Sequence, residues 1–329
     1  MNLNLVLAAL GPLASLYEDP DVSEIMVDAP DKVIIDRKNK LVDAGIKFET
    51  PEALREVIDA LMSIGGVTLT PEHTSGHVRF SDASRCLAVI PPTAVDGPYL
   101  VIRKTHSGHF SMDDLIGFNS VTLEEYAVLK SALNARLNLL IAGGTGSGKT
   151  TFANVLTDEF PDEERIVVVE SVYELQPRLD RFVRLAADSS PDHSMADLVN
   201  LAAKMRPDRL IVGELHGPEA MSVLNVFNIG HDGSLTILHA RDPEDALARL
   251  ESMCLTANLG LGLSEIRVLI ASALQLITYQ KLLPSGKRKL THIVELCGLE
   301  NGRYVLQPLF RYNPETDTID PTGVKPSWE

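Results

Sequence analysis

A glycine-rich segment at residues 143–150 has the residue types and spacing that bind a polyphosphate. It reads GGTGSGKT and fits the pattern G-x-x-x-x-G-K-[ST]. The backbone N–H groups of such a loop point into one concavity, and the helix that follows adds its partial positive charge. Lys149 would reach the β- and γ-phosphates, and the Thr150 hydroxyl would ligate Mg²⁺. The predicted binding residues are Gly143, Gly144, Thr145, Gly146, Ser147, Gly148, Lys149, Thr150 and Thr151.

Two carboxylates follow the loop at the ends of short apolar runs. Glu170 ends the run RIVVVE, and Glu214 follows DRLIV after Gly213. Ligands of parallel sheets bind at the edge where the carboxyl ends of the strands meet. Phosphoryl transfer to water needs acids near the metal and near the attacking water. We therefore predict that Glu170 and Glu214 act at the loop, and the alternative is that they are surface carboxylates at strand ends.

Two histidines lie in the segment GHDGSLTILHA at residues 230–240. His231 is in a glycine-flanked loop, and His239 ends an apolar run. A histidine at a strand end is more often structural than catalytic. The residues alone therefore leave the role of His239 open.

The loop and both carboxylates fall in a region, residues 113–329, whose pattern predicts an α/β domain. The apolar runs NLLIA, RIVVVE and DRLIVGE fit strands buried on both faces of a parallel sheet, with helices crossing between them. NLLIA precedes the loop and TTFANVLTDEF follows it as a helix, which is the order that a phosphate loop requires. After His239 the pattern predicts two helices, PEDALARLESMCL and SEIRVLIASALQLI, and then an antiparallel meander.

The first 105 residues predict a smaller α+β domain. Short β-branched runs alternate with turn residues between residues 23 and 48, which is typical of antiparallel hairpins. PEALREVIDALMSI predicts a helix, and GHVRF, CLAVI and YLVIRK predict further strands. The apolar opening MNLNLVLAALGPLASLY lacks a positive start and a small-residue cleavage site, so it predicts an amphipathic helix rather than a signal peptide. The polar residues 106–112 are predicted to link the two domains.

The composition favours a soluble globular protein. Of 329 residues, 45% are hydrophobic and 23% are charged, and the formal net charge is -15. This charge argues against tight, sequence-independent binding of nucleic acid, because such binding needs Lys and Arg at the phosphates. No run of ~18 apolar residues predicts a membrane span. Cys86, Cys254 and Cys297 lack the spacing of a metal site or a redox pair and are predicted to be reduced, buried thiols.

Together, these segments resemble the secretion ATPase superfamily, the RecA-like hexameric motors of type II secretion, type IV pili and type IV secretion. Four motifs occur here in the order of that superfamily: the phosphate loop, VVVESVYELQ, MRPDRLIVGELHGPEA and GHDGSLTILHA. Outside them, LGPLASLYEDPDVSEIMVDAPDKVIIDR, VIPPTAVDGPYLVIRK and RDPEDALARLE extend the resemblance over nearly all of the chain. It looks closest to the CpaF-type ATPases of tight-adherence (Tad) pili, with the conjugative type IV secretion ATPases next.

The resemblance implies an α/β, RecA-like P-loop NTPase motor domain behind a smaller N-terminal α+β domain, with ATP and Mg²⁺ held between the two. It assigns Glu170 to the attacking water, Glu214 to Mg²⁺ and water, and His239 to the γ-phosphate. Residues Glu170, Glu214 and His239 are thus the expected catalytic residues, and Thr150 and Glu214 are the expected metal ligands.

Arginines of the N-terminal domain are expected to close over the nucleotide. The positions that match are Arg85 and Arg103, with Arg79 as a third candidate. Positive charge that reaches the nucleotide only when domains close would couple hydrolysis to motion.

The resemblance implies a cytoplasmic homohexamer that powers assembly of a Tad-like or type IV-like pilus, or of a related secretion machine. The ring would associate with the cytoplasmic face of the inner membrane through a platform protein, without direct contact with nucleic acid. One alternative is a conjugative type IV secretion ATPase. Another is an ATP-binding assembly platform with weak turnover, because Ser171 and His216 stand where the superfamily usually has Asp and Arg. A DNA translocase is disfavoured by the acidic composition.

Overall fold

The protein is described here from a computed structural model. It describes residues 3–38, 40–82, 84–104, 110–171, 173–187 and 193–328. The chain divides into two compact units, Met1–Gly108 and His109–Glu329, and each is described by itself. Of the predicted linker at residues 106–112, residues 106–109 lie outside the described residues. Ser111 caps the first helix of the second unit, which begins at Met112.

The first unit contains a six-stranded antiparallel sheet and three helices among its described residues. The strands follow the order β3-β2-β1-β6-β5-β4. The helices are α1 (Leu3–Ala9), α2 (Ala14–Glu18) and α3 (Pro51–Ile64). The strands are β1 (Val22–Ala29), β2 (Lys32–Arg37), β3 (Lys40–Asp43), β4 (Ser75–Arg79), β5 (Arg85–Val89) and β6 (Tyr99–Arg103).

Local sequence signals explain the helices of this unit. Thr50 caps α3 by accepting the Ala53 N–H at 3.1 Å, and Pro51 occupies the first turn, where its missing N–H costs nothing. The opening segment, predicted as one helix, forms two short helices joined by a 3₁₀ turn. The break falls at Gly11, whose φ of +53° lies in the left-handed region that a helix cannot use.

The second unit contains a nine-stranded mixed sheet in the order β15-β14-β13-β12-β7-β11-β10-β8-β9. Its helices are α4 (Met112–Gly117), α5 (Leu123–Asn134), α6 (Lys149–Thr157), α7 (Met195–Ala203), α8 (Glu219–Asn228), α9 (Pro243–Thr256) and α10 (Leu263–Ala273). Its strands are β7 (Leu139–Gly143), β8 (Ile166–Glu170), β9 (Phe182–Ala186), β10 (Arg209–Leu215), β11 (Leu235–His239), β12 (Leu276–Leu282), β13 (Arg288–Glu300), β14 (Arg303–Asn313) and β15 (Thr318–Pro321).

The parallel part of this sheet forms the centre of the second unit. Strands β12, β7, β11, β10, β8 and β9 run parallel, and β13 to β15 continue the sheet in antiparallel pairs. All five residues of β7 and of β8 are buried, because separate apolar clusters cover the two faces of the sheet. The predicted α/β fold class is therefore confirmed.

Three features of the second unit differ from the sequence-based expectation. The predicted helix SEIRVLIASALQLI is shorter than expected, since α10 ends at Ala273 and Leu276 begins β12. Strands β9 and β15 were not predicted, because β9 is only partly buried and β15 is a four-residue edge strand. Cys86 and Cys254 are buried as predicted, but Cys297 is exposed, since it lies where β13 leaves its regular register with β14. No helix among the described residues has the length and apolar character needed to cross a bilayer.

A buried carboxylate at the start of α5 makes the stability of the second unit depend on pH. Glu125 is fully buried, and its side chain accepts the Thr122 N–H at 2.8 Å in a capping box. Burial raises the pKa of Glu125 to about 8, although the hydrogen bonds with Thr122 and the charge of Lys289 oppose the shift. The unfolded carboxyl titrates near 4.5, so the folded state holds more protons between these two values. Stability therefore falls as the pH rises through this range, by about 1.4 kcal/mol per pH unit.

Replacing Glu125 with Gln should remove this pH dependence, because the amide keeps an acceptor for Thr122 but cannot ionise. We expect the stability of the variant relative to the wild type to increase as the pH rises from 5 to 8. Each kcal/mol of this difference should correspond to roughly 2–4 °C in Tm. Thermal unfolding across this range measures the difference. Glu124→Gln, at the exposed neighbouring position, is the matched control. A difference in Tm between the Glu125 variant and wild type that does not change with pH would contradict the assignment.

Candidate functional site

The glycine-rich loop joins the central strand β7 to helix α6. β7 pairs with β11 on one side and with β12 on the other. Gly146 and Gly148 have φ values of +70° and +94°, which the loop needs and which favour glycine. A Cβ at Gly143 would lie 2.5 Å from the carbonyl oxygen of Gln280 and 2.6 Å from Ser147 Oγ, so no larger residue fits there. The loop conformation therefore depends on its glycines.

Lys149 places its ammonium group within this loop. The residue is only 5% exposed, and its Nζ donates to the Gly144 carbonyl at 2.9 Å. Nζ also lies 3.0 Å from His239 Nδ1. Ser147 Oγ donates to the same Gly144 carbonyl at 2.9 Å. A buried cation at the N-terminus of a helix, beside a glycine loop, is the arrangement that binds a polyphosphate.

His239 connects Lys149 to the carboxylate of Glu214. His239 Nε2 lies 2.9 Å from Glu214 Oε1, while Nδ1 faces Lys149. Burial and then the positive charge of Lys149 hold the pKa of His239 below its usual value. A neutral imidazole with its proton on Nε2 satisfies both contacts, because Nδ1 then accepts from the ammonium and Nε2 donates to the carboxylate. The ends of β11 and β10 thus bring two predicted residues to the loop.

Glu170 ends the next strand, β8, and is almost fully buried. Its Oε2 accepts the N–H groups of Glu174 at 3.0 Å and Leu175 at 3.1 Å. Its Oε1 lies 3.3 Å from Nε of Arg184, whose guanidinium also lies over the ring of Tyr173. Burial raises the pKa of Glu170 to about 7, while these two N–H groups and Arg184 oppose the shift. The carboxyl group is thus held in place and titrates near neutral pH.

Thr150 contacts the carboxylate of Glu174, a residue of the motif VVVESVYELQ to which the sequence analysis assigned no role. The Thr150 hydroxyl donates to Glu174 Oε2 at 2.8 Å, and Asn154 Nδ2 donates to the Glu174 carbonyl at 3.2 Å. No group of three or more His, Cys, Asp or Glu side chains within the described ranges could hold a metal by itself. Mg²⁺ needs no such group, because it takes one or two protein oxygens and fills its shell with phosphate oxygens and water. The hydroxyl and carboxylate oxygens present here fit that requirement.

The two departures from the superfamily pattern lie beside these groups. His216 Nδ1 is 3.4 Å from Glu214 Oε1, and its side chain is 64% exposed. Ser171 is exposed immediately after Glu170. The carboxylate of Glu219 accepts the N–H groups of His216 at 2.6 Å and Gly217 at 2.9 Å, so the Glu219 side chain holds this turn. His216 therefore adjoins Glu214 but does not carry the permanent charge of an arginine.

The first unit brings its three candidate arginines into one row. Arg79 pairs with Arg85 across β4 and β5, and Arg85 pairs with Arg103 across β5 and β6. Residues directly opposite each other on antiparallel strands share one face of the sheet. The three candidate arginines are therefore cross-strand neighbours on one face of the sheet, where Glu24 of β1 lies opposite Arg103.

The structure brings some of the predicted residues into contact and not others. Direct contacts join Lys149, His239 and Glu214. Thr145 lies in the loop and Thr151 at the start of α6, and no described hydrogen bond connects their side chains to these three residues. The carbonyl of His231 accepts the Ser234 hydroxyl before β11 begins, at the sheet edge away from the loop. Sequence reasoning missed the contacts of Arg184 and of Arg288, whose Nε donates to the Gly146 carbonyl at 2.8 Å.

Known proteins resemble this chain over most of its length. Residues 7–302 match the family described as "Type II/IV secretion system protein". Conjugal transfer protein TrbB of Rhizobium radiobacter is 32% identical over 300 residues, which cover 89% of this chain and 89% of TrbB.

Two solved structures share the fold. The Legionella pneumophila ATPase DotB has a TM-score of 0.63 at 18% identity, covering 84% of this chain and 77% of DotB. The pilus retraction motor PilT, solved with bound ADP, has a TM-score of 0.62 at 18% identity, covering 90% of this chain and 82% of PilT. At these identities the likeness concerns the fold alone. The family match and the TrbB relationship show that the chain belongs to the type II/IV secretion system protein family, within the secretion ATPase superfamily.

Proposed function

We propose that this protein is an ATPase that hydrolyses ATP to ADP and phosphate at the loop of residues 143–150. The observation that supports it best is the contact series Lys149–His239–Glu214, which links the loop through β11 to a carboxylate on β10. A loop that only bound phosphate would need Lys149 but would not need that carboxylate. The names of DotB as an ATPase and of PilT as a motor with bound ADP support the same reaction for this fold.

Each residue of the site has a distinct role in this proposal. Lys149 leaves the Gly144 carbonyl and binds the β- and γ-phosphates, and the loop N–H groups bind the remaining phosphate oxygens. Glu170 accepts a proton from the water that attacks the γ-phosphorus, while the bond to the β–γ bridging oxygen breaks. A carboxyl group with a pKa near 7 suits that role at neutral pH. His239 interacts with the γ-phosphate, either by donating a hydrogen bond to it from Nε2 or indirectly through its contact with Lys149.

Magnesium completes the site in this proposal. Thr150 and Glu214 would supply protein oxygens to Mg²⁺, with Glu174 fixing the orientation of the Thr150 hydroxyl. The bound ion would neutralise negative charge on the β- and γ-phosphates. We also propose that Arg85 and Arg103 bind the nucleotide and add positive charge to it, with Arg79 as a third candidate. The strand register places the three arginines side by side.

We further propose that the protein acts as a homohexamer at the cytoplasmic face of the inner membrane, bound there through a platform protein. The proposal that it powers a Tad-like pilus machine, the pilus reading, rests on the motifs GHDGSLTILHA and PDEERIVVVE. The conjugative reading is equally compatible with the comparisons, because TrbB is named as a conjugal transfer protein. A prepilin gene and a polytopic platform gene beside this one would support the pilus reading, and a mating-channel gene set would contradict it.

Removing the Glu214 carboxylate tests the enzyme activity. We expect Glu214→Ala to lower steady-state phosphate release from Mg²⁺-ATP by about 10²-fold, because both a Mg²⁺ ligand and the partner of His239 are lost. Phosphate release by micromolar purified protein measures the effect. Glu315→Ala, at an exposed position on the same unit, is the control and should match the wild type. Equal phosphate release by the Glu214 variant and the wild type would refute the proposed site.

A further inference from the structure

The hairpin between β12 and β13 packs directly on the phosphate loop, although no motif pointed to it. Gln280 pairs with Gly143 in the register of β12 and β7. Arg288, the first residue of β13, donates from Nε to the Gly146 carbonyl at 2.8 Å. The contact between Arg288 and Gly146 connects residues that lie 142 positions apart in the sequence.

The fit between this hairpin and the loop is close. A Cβ at Gly148 would lie 3.2 Å from Arg288 Cδ, and a Cβ at Gly146 would lie 3.8 Å from Leu282 Cδ2. Gly143 approaches the Gln280 carbonyl closely enough to exclude a Cβ. The glycines of the loop therefore serve two purposes, since they allow its conformation and also admit the hairpin.

Arg288 contacts the peptide group between Gly146 and Ser147, whose orientation affects the binding of an anion by the loop. A loop that binds an anion must turn N–H groups inward and carbonyl groups outward. The peptide between Gly146 and Ser147 is planar, so its C=O and N–H groups point in opposite directions. The Gly146 C=O accepts from Arg288 Nε, and the Ser147 N–H, on the opposite side of the peptide, donates to the Gly144 carbonyl at 3.4 Å. Because Gly146 has a φ of +70° and no side chain, nothing within that residue fixes this peptide.

We propose that Arg288 is a positioning residue of the nucleotide site, which fixes the peptide between Gly146 and Ser147 in its phosphate-binding orientation. The inference rests on the proposed function, since it requires that the loop binds a nucleotide. A charged donor suits this role, because hydrogen bonds from a guanidinium are stronger than those between neutral groups. Arg288 acts through the loop backbone and before the chemical step, so its loss should weaken nucleotide binding and spare the reaction rate of bound ATP.

The neighbouring Lys287 allows the specific bond to be separated from general positive charge. Lys287 is exposed and pairs with Asp317 at 3.5 Å. It lies one residue before Arg288 and carries the same charge, but its described ion pair is with Asp317 and not with the loop. Arg288→Met removes the donor and keeps an apolar stem, while Lys287→Met removes the same charge from the same hairpin.

Binding of ADP by calorimetry and steady-state hydrolysis of ATP test the inference. We expect Arg288→Met to raise the Kd for ADP and the KM for ATP by about 10-fold, with kcat within about twofold of the wild type. Arg288→Lys, which retains a charged donor, should recover part of the affinity, and Lys287→Met should bind ADP like the wild type. Thermal unfolding of all three variants shows whether they fold. If Arg288→Met does not fold, Arg288→Lys still tests the inference, because its affinity for ADP should lie between those of the wild type and of Lys149→Ala.

Two outcomes would overturn the inference, and they differ in what else they exclude. ADP affinity of Arg288→Met equal to that of wild type, while Lys149→Ala has lost ADP binding, would refute the role of Arg288 and leave the proposed function intact. The same weakening in Lys287→Met and Arg288→Met would show that general charge, and not the bond to Gly146, is responsible. Absence of nucleotide binding by the wild type would instead refute the proposed function and the inference with it.

Discussion

Replacing Lys149 with Ala is expected to lower ATP hydrolysis by at least about 10²-fold and to weaken ATP binding. The ammonium is the buried cation of the loop, and it is held in place by the Gly144 carbonyl and His239 Nδ1. Without it, the γ-phosphate loses its main source of positive charge and His239 loses a partner. Phosphate release and equilibrium binding of a fluorescent ATP analogue measure the two effects separately.

The control for this variant is Lys204→Ala, at an exposed position that ends α7. It removes the same charge from the same unit and should leave hydrolysis and binding unchanged. Thermal unfolding checks that Lys149→Ala folds, and Lys149→Arg provides a second variant that keeps the charge but not the shape. Hydrolysis by Lys149→Ala at the wild-type rate would show that the phosphate is cleaved elsewhere.

Replacing Glu170 with Gln is expected to separate binding from turnover. The amide is isosteric with the carboxyl group, and its oxygen can still accept the N–H groups of Glu174 and Leu175. It cannot accept a proton from water, so kcat should fall by about 10²- to 10⁴-fold. Affinity for ATP should change by no more than about threefold, because Glu170 is not a phosphate-binding residue in the proposed site.

Glu163→Gln, at an exposed position before β8, is the matched control and should hydrolyse ATP like the wild type. Parallel loss of affinity and of kcat in Glu170→Gln would indicate a structural role for Glu170 instead. Undiminished kcat would remove Glu170 from the reaction and direct attention to Glu174, the other carboxylate of the same segment.

Regular elements made much of this architecture predictable. The wholly buried strands β7 and β8 appear in the sequence as uninterrupted apolar runs, and the phosphate loop follows directly from the first of them. Because parallel strands end at one edge, the positions of Glu170 and Glu214 at the ends of apolar runs predicted carboxylates near the loop. The resemblance to the superfamily, and not the strand pattern, selected His239 and the arginines of β5 and β6, and these two arginines are cross-strand neighbours.

Contacts that depend on irregular or distant segments were not predictable. Glu174 reaches Thr150 only because residues 173–179 follow an irregular path past α6, which no periodicity encodes. Arg288 reaches Gly146 through a hairpin whose position next to β7 depends on the sheet order. The exposure of Cys297 follows from an interrupted register between β13 and β14, which composition does not reveal.

The two departures from the superfamily pattern, Ser171 and His216, lie next to the proposed catalytic carboxylates. His216 approaches Glu214 at the position where the superfamily usually has an arginine, whose charge is permanent. Ser171 leaves Glu170 as the carboxylate that faces Arg184. Both changes leave the contacts of Lys149 and His239 in place, so the proposal favours a hydrolysing motor over a platform that only binds ATP.

A single-turnover experiment tests this central claim most directly. Wild-type protein in excess over radiolabelled ATP, with Mg²⁺, should convert the bound nucleotide completely to ADP and phosphate, and Glu170→Gln should retain the ATP intact. Wild-type protein that binds ATP and returns it unhydrolysed would contradict the motor and would identify the protein as a nucleotide-dependent assembly platform.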